Sequence, residues 1–239
     1  MNTLPPSPSV ANAGLGWLDG IVVPPIALKP YYKDDYATLY HGDARDILPK
    51  LEWAVMLTDP PYGISHSSGW EGPYKDKPIE GDGDASLRDW ALQVNAGKPA
   101  AVFGTWRIGK PKNIRAVLIW DKGPASGMGD LALPWKPSWE EIYIIGDGWS
   151  GRRDEGVMKG HTVVTWASKG RSHPNQKPLT LLTALICKAP AGTICDPFAG
   201  SGTTLVAAKE LRRLSIGIEC DEQHAETAAK RLSQEVLPL

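Results

Sequence analysis

Two short segments hold the residues best suited to do chemistry. The first is Asp59-Pro60-Pro61-Tyr62-Gly63. Two prolines in succession stop any ladder or helix, so the chain must leave its element there. An exocyclic amine on a heteroaromatic ring is a poor nucleophile, because its lone pair is delocalised into the ring. A carboxylate and a nearby carbonyl that accept its two N–H bonds pull the nitrogen toward sp³ and restore that lone pair. Asp59 and the Pro60 carbonyl fit the task, with Pro61 fixing the turn behind them. Tyr62 offers a π-face for a base taken out of a helix. Standing alone, the segment would be an ordinary Asp-Pro-Pro turn.

The second segment is Asp196-Pro197-Phe198-Ala199-Gly200-Ser201-Gly202-Thr203-Thr204. It follows an apolar run and opens a helical pattern. Gly200 and Gly202 let the backbone turn sharply and approach a ligand closely. Helix N-terminal amides behind them favour an anionic group such as a carboxylate. Glu219 ends the next apolar run, about twenty residues on, where an acid can accept from both hydroxyls of a ribose. A dinucleotide fingerprint would need a third glycine after Gly202, and a Walker loop would need G-K-[ST]; both are missing. Strand, turn, helix and distal acid together weigh against a turn made only for packing. The pair Gly127 and Gly129 has no such context and reads as loop.

These segments need strands to carry them. Thr38–His41 is strand-like and Arg45–Leu48 is a short helical turn. Trp53–Thr58 is a continuous apolar run of strand length that ends at Asp59. Ser86–Ala96 suits a helix capped by Ser86. Ala100–Phe103, Arg115–Trp120 and Glu141–Ile145 read as buried strands, and Thr162–Trp166 as a strand of a separate flap. Pro178–Lys188 places Leu179, Leu182, Leu185 and Ile186 on one helical face. Strand 193–195, helix 203–211, strand 215–219 and a terminal helix from Asp221 to about Val236 complete the alternation. Such alternation predicts an α/β fold, a mostly parallel sheet with helices on both faces and ligands at the carboxyl ends of its strands. Residues 1–33, rich in Pro, Gly, Ala and Ser, read as a poorly ordered arm, leaving 34–239 as a single domain.

Composition narrows the class further. A chain of 239 residues suits one substantial α/β domain. No apolar run approaches a membrane span, and the amino terminus lacks the pattern of a secretory signal. Cys187, Cys195 and Cys220 form no C-x-x-C pair, so buried free thiols in a reducing cytosol are expected, and no metal site. The net charge of −1 hides segregation along the chain. Arg107, Lys110, Lys112, Arg115 and Lys122 form one basic run. Arg152, Arg153, Lys159, Lys169 and Arg171 form another, with residues to contact DNA phosphates. The stretch from Glu71 to Asp84 is acidic, and the loop Ile64 to Ala85 that contains it holds Trp70 and Tyr74.

The two segments, in this order, resemble the DNA amino-methyltransferases of the circularly permuted β group, in which the catalytic motif precedes the cofactor motif. Further stretches agree. Leu39–Ala44 is similar to the family's "GD" strand end, which implies that Asp43, with Ala44, contacts the adenine of S-adenosylmethionine. His173-Pro174-Asn175-Gln176-Lys177-Pro178 is similar to its "HPTQKP" segment, which implies contacts from Asn175 and Lys177 to the methionine end. Ile119–Gly123 and Trp139–Ile142 match weaker motifs. The resemblance runs from about Tyr36 to Leu232. It implies a Rossmann-like methyltransferase fold with a permuted seven-stranded sheet in which the two motif strands are neighbours. It also implies cofactor contacts by Asp59, Asp196, Phe198, Gly200, Ser201, Gly202, Thr203, Thr204, Glu219 and Cys220. The target-recognition insert would be small, about 146–172.

The resulting expectation is transfer of a methyl group from S-adenosylmethionine to adenine N6 in double-stranded DNA, by base flipping and direct displacement in the cytoplasm of a bacterium or phage-infected host. In the family, Asp at position 59 is commoner with adenine N6 and Ser with cytosine N4. Cytosine-N4 methylation is the nearest alternative. A protein or RNA amine methyltransferase usually has Asn at this position, and an inactive DNA-binding scaffold would have little need of the intact loops. Dimers are frequent in the family, so a homodimer is a further expectation.

Overall fold

The alternation read from Tyr36 onward folds as one twisted sheet with helices on both faces. The computed structural model describes residues 28–61, 85–123, 131–161 and 176–234. Tyr62, Lys169, Arg171, Asn175 and the flap strand expected at 162–166 lie outside the described residues. The strands are β1 (Tyr32–Lys33), β2 (Ala37–His41), β3 (Val55–Thr58), β4 (Ala100–Gly104), β5 (Ile114–Asp121), β6 (Trp139–Ile145), β7 (Val157–Met158), β8 (Ile194–Asp196) and β9 (Ser215–Glu219). The helices are α1 (Ala44–Ile47), α2 (Ser86–Asn95), α3 (Leu179–Ile186), α4 (Thr203–Glu210) and α5 (Glu222–Leu232), with a 3-10 turn at Leu48–Lys50.

The sheet order is β1-β2-β9-β8-β3-β4-β6-β5-β7. Its inner seven strands are the expected set, and two-residue strands extend each edge. One of these, β1, lies within the stretch read as an arm and pairs antiparallel with β2. The run β2, β9, β8, β3, β4 is parallel throughout, whereas β6 is antiparallel to both β4 and β5. β3 and β8, which lead into the two chemical segments, are direct neighbours with Met56 opposite Cys195. β9 and β2 also pair in parallel, and α5 packs back onto β2 through Ala225, Ala228 and Leu232 against Ala37 and Leu39. β2 therefore lies beside β9 and under α5, as a permuted order demands.

Period-two alternation sorts the core into layers. Val55, Leu57, Ala101, Phe103, Trp120, Ile142 and Ile194 face α3 and α4. Met56, Ala100, Val102, Ile145, Cys195 and Ile218 face α1 and α2 on the other side. Some local expectations change. Ala85, not Ser86, is the N-cap of α2, and no side chain caps it. β5 is not a buried strand: only Trp120 is buried, because β7 covers just Ile119 and Trp120 on its outer side. Of the three free thiols only Cys195 is buried; Cys187 and Cys220 are exposed. α5 ends at Leu232, short of the predicted Val236. Among the described residues no helix is long and apolar enough to cross a membrane, and no cluster of side chains is suited to hold a metal ion.

Candidate active site

Parallel pairing brings the carboxyl ends of β2, β9, β8, β3 and β4 to one edge of the sheet. Asp59 and Asp196 leave that edge from adjacent strands, and a buried hydrogen bond ties them: Thr58 Oγ1 donates to Asp196 Oδ1 at 2.7 Å. The Phe198 amide donates to the same oxygen at 3.1 Å, so Asp196 folds its own loop back on itself. Burial pushes the Asp196 carboxyl up to about 6, against hydrogen bonds from Thr204, Thr58 and Phe198, and the nearby charge of Asp59 adds to the rise. Asp196 is the internal pin of this loop, and Thr204 serves the same pin.

Asp59 is held from outside its own segment. Lys177, buried just before α3, places Nζ 2.5 Å from Asp59 Oδ2 and 3.2 Å from Glu140 Oε2. Lys122 pairs with the other Glu140 oxygen, so cation and anion alternate along Lys122, Glu140, Lys177 and Asp59. The Lys177 ammonium also lies 5.0 Å from the centre of the Phe103 ring. Burial works against its charge, yet Asp59 and Glu140 outweigh that and hold it above the usual lysine range. Burial likewise opposes ionisation of Glu140, and Lys177 with Lys122 holds its carboxyl below the ordinary range. Pro60 is buried and Pro61 half-buried, which fixes the backbone that carries the Pro60 carbonyl.

The two glycines of the second loop differ in role. Gly200 has φ +51°, and a Cβ there would meet nothing within 4 Å, so its face is open for a ligand. Gly202 has φ +77°, and a Cβ there would lie 2.8 Å from Ala228 Cβ, so this glycine lets α5 press onto the start of α4. Ser201 and Thr203 are buried and turned the same way: Arg231 Nη1 donates to the Ser201 carbonyl, the Ser201 hydroxyl and the Thr203 hydroxyl at 2.6, 3.1 and 3.1 Å. Phe198 is partly buried against the α1 and α2 side of the core.

Glu219 spans the two halves of this edge. Its Oε2 accepts the Gly200 amide at 2.6 Å and its Oε1 the Asp221 amide at 2.8 Å. Oε1 also accepts from the Cys220 thiol at 3.7 Å, whereas Oε2 keeps a second lone pair for a hydroxyl donor. One strand over, Asp43 caps α1, accepting the Arg45 amide at 2.8 Å, and its carboxyl is held below the usual range by Arg45. Ala44 is buried behind it. Cys220 is exposed, and its carbonyl lies 3.1 Å from His41 Nε2.

Not every expected residue joins this edge. β6 runs away from it, so the loop after Ile145 emerges at the opposite edge, about 20 Å off at 3.3 Å per residue. Arg152 and Arg153 lie there, with Arg152 paired to Asp154 and its carbonyl accepting from Lys188. Lys159, after β7 has run back parallel to β5, is on the near side. Conversely, reading the sequence gave no role to Thr58, Glu140, Lys122 or Arg231. The first three adjoin or fall within stretches already singled out. Nothing local marks Arg231, whose partners are about thirty residues earlier.

An open Gly200 face, a buried acid at the next strand end and a second acid one strand further fit a donor with a ribose and a charged amino-acid end. Comparisons with known proteins agree. A family model described as "DNA methylase" matches residues 110–230. The Type II methyltransferase M2.LlaDCHI of Lactococcus lactis subsp. cremoris is 28% identical over 86% of this chain and 93% of its own. The Type II methyltransferase M2.DpnII of Streptococcus pneumoniae is 28% identical over 87% and 93%. Among solved structures, the M1.HpyAVI–SAM complex superposes with a TM-score of 0.58 at 20% identity, covering 83% of this chain and all of that one. The PvuII cytosine-N4-specific DNA methyltransferase superposes with a TM-score of 0.63 at 15% identity, covering 89% and 92%. The fold is the Rossmann-like methyltransferase fold, and the chain belongs to the DNA methylase family, whose methyl donor is S-adenosylmethionine.

Proposed function

We propose that this DNA methyltransferase methylates the N6 amine of adenine in duplex DNA, with Asp59 and the Pro60 carbonyl as the acceptors that activate the amine. The observation that carries the reading is the Lys177–Asp59 pair, 2.5 Å long and backed by Glu140. It fixes an ionised carboxylate beside the cofactor loop. S-adenosylmethionine supplies an electrophilic sulfonium methyl group, which leaves the protein to orient and polarise the amine. Asp59 accepts one N–H bond and the Pro60 carbonyl the other, while Tyr62 supplies the stacking face. Glu219 would receive the ribose hydroxyls, Asp43 the adenine, and the Gly200 face and the start of α4 the amino-acid carboxylate. Asn175 completes the donor contacts. The reading includes action in the cytoplasm, where the DNA lies, and a homodimer in solution.

Base and target sequence come from one experiment. DNA treated with the purified protein is sequenced by a single-molecule method and its nucleosides are weighed by mass spectrometry. N6-methyladenine at a defined motif is the expected product. N4-methylcytosine would overturn the adenine assignment while leaving the family intact.

A further inference from the structure

We infer that an exposed face beside Asp59, built from residues 105–107 and 131–139, receives the duplex, with Trp106, Leu133 and Trp135 against bases or deoxyribose and Arg107 and Lys136 against phosphates. The inference rests on the DNA-methylating function proposed above and says which surface serves it.

Placement comes first. Thr58 is in register with Val102, Gly104 with Glu141, and Asp121 with Trp139. Although residues 108–113 run back to the opposite edge, where Ile114 pairs with Ile145, residues 105–107 and the connection between β5 and β6 leave the same edge as Asp59. They do so on the side opposite β8, β9 and β2, which carry the donor loop. At about 4.8 Å per strand, β4, β6 and β5 stand roughly 5, 10 and 15 Å from the strand that bears Asp59. The target must approach the catalytic acid from the half that the donor does not fill, and this is that half.

The surface has the chemistry for the task. Trp106, Leu133 and Trp135 are 63%, 58% and 79% exposed, and Leu131 is exposed beside them. Large apolar side chains gathered at one edge mark an interaction surface rather than ordinary surface scatter. The two segments carry Arg107 and Lys136 and not one Asp or Glu, and Lys110 follows shortly after the first. Lys110 is engaged by Glu141 at 3.0 Å. Arg107 lies 5.5 Å from the Trp106 ring centre, a cation beside a stacking plane. That combination matches nucleic acid, which offers base faces and phosphates together. It does not suit a second copy of the chain. A two-fold contact would set this patch against itself and bring like charges face to face. Arg152 and Arg153, at the far edge, are less well placed for the same role.

The test uses two double variants of the full chain, Trp106→Ala with Trp135→Ala, and Arg107→Glu with Lys136→Glu. Binding to a fluorescein-labelled mixed-sequence duplex of about 30 base pairs is followed by anisotropy across a salt series. Donor affinity by calorimetry and mass by sedimentation accompany it. Both variants are expected to weaken duplex binding about tenfold or more with donor affinity and mass unchanged. The charge reversal alone should lower the slope of log affinity against log salt by about two. Undiminished duplex binding by both variants, from a wild-type protein that methylates DNA, overturns the face and spares the function. A change of mass with duplex binding retained overturns it in favour of self-association. Should the tryptophan variant lose donor binding through misfolding, the charge reversal decides alone. A wild-type protein that neither binds duplex nor methylates it overturns the function itself.

Discussion

Replacing Lys177 by Met separates the positioning of Asp59 from the binding of the donor. Methionine keeps an unbranched stem over Phe103 and removes the ammonium with its charge and its N–H donors. Asp59 and Glu140 are then left as two carboxylates no more than about 6 Å apart, each having lost a partner at 2.5 or 3.2 Å. Removing one member of a buried pair costs about 3–5 kcal/mol, because the remaining charge is stranded. Here the low end applies, since Glu140 keeps Lys122 and the Asp59 side chain is 28% exposed. A loss of about 3 kcal/mol in a chain of this size lowers Tm by roughly 6–12 °C. Catalysis should suffer separately, because a carboxylate misplaced by about 1 Å can cost on the order of 100-fold in rate.

The assay is single-turnover transfer of a labelled methyl group at saturating donor, with donor Kd and Tm measured on the same preparations. If Lys177 positions Asp59, the rate should fall about 100-fold with donor Kd changed by less than about threefold. A variant with full rate and a Tm within about 1 °C of wild type would refute it. So would a collapsed donor affinity with the rate preserved at saturation. That second result would assign Lys177 to the methionine end of the donor, as the family resemblance implies. pH gives a further check. A lysine whose folded pKa is raised contributes stability below its unfolded value that is lost only as pH rises through the folded one. Lys177 is held above the usual range, so its contribution should be flat between about pH 6 and 9.

Asp59→Ala should abolish transfer while leaving donor Kd near wild type, because Lys177 keeps Glu140; retained turnover in the methyl-transfer assay refutes the amine role. Glu219→Ala removes the acceptor for the Gly200 and Asp221 amides as well as the proposed ribose contact. Donor Kd should rise about 10–100-fold by calorimetry, and an unchanged value counts against that contact. Arg231→Met strands Ser201 and Thr203 and should cost about 1–3 kcal/mol in urea unfolding. An unaltered midpoint would show that α5 does not brace the loop. Asp196→Asn tests the buried acid by pH. With a folded pKa raised to about 6, wild type binds more protons folded than unfolded, so this group's contribution falls as pH rises from about 4 to about 6. The variant lacks that loss, so its stability relative to wild type should improve across the same window; a constant difference would mean that Asp196 is ionised throughout.

The donor half of the site was legible because its parts are local. Strand, turn and helix around Gly200 are consecutive, and Glu219 closes the next strand in a parallel sheet whose register follows from the apolar pattern. The acid chain around Asp59 was legible only in pieces. Lys122, Glu140 and Lys177 each lie in stretches whose motifs stand out, but their alternation exists only after β5, β6 and the start of α3 converge. Arg231 was invisible, since an arginine on a polar helix face carries no sign of carbonyls thirty residues away. The helix start at Ala85 shows the limit of local capping rules, for Ser86 has the right chemistry one position too late.

Neither basic run of the sequence stays at one edge of the sheet, and the reason is topological. Arg107 and Lys122 lie at the edge that bears Asp59, whereas Arg115, paired with Asp147, opens β5 at the other edge; Arg152 and Arg153 lie at that other edge too, and Lys159 is back at the first. β6 enters at the catalytic edge beside Trp139 and leaves at the opposite edge after Ile145, which carries Arg152 and Arg153 about 20 Å from the edge that bears Asp59. A reversal of one strand therefore decides which cations can meet a phosphate while a base reaches the acid. The exposed Trp106 and Trp135 settle at the same edge as Arg107 and Lys122, although the whole of β5 separates the two tryptophans in the chain. Charge alone could have placed the duplex at either edge. Charge together with stacking surface and the direction of β6 places it at one.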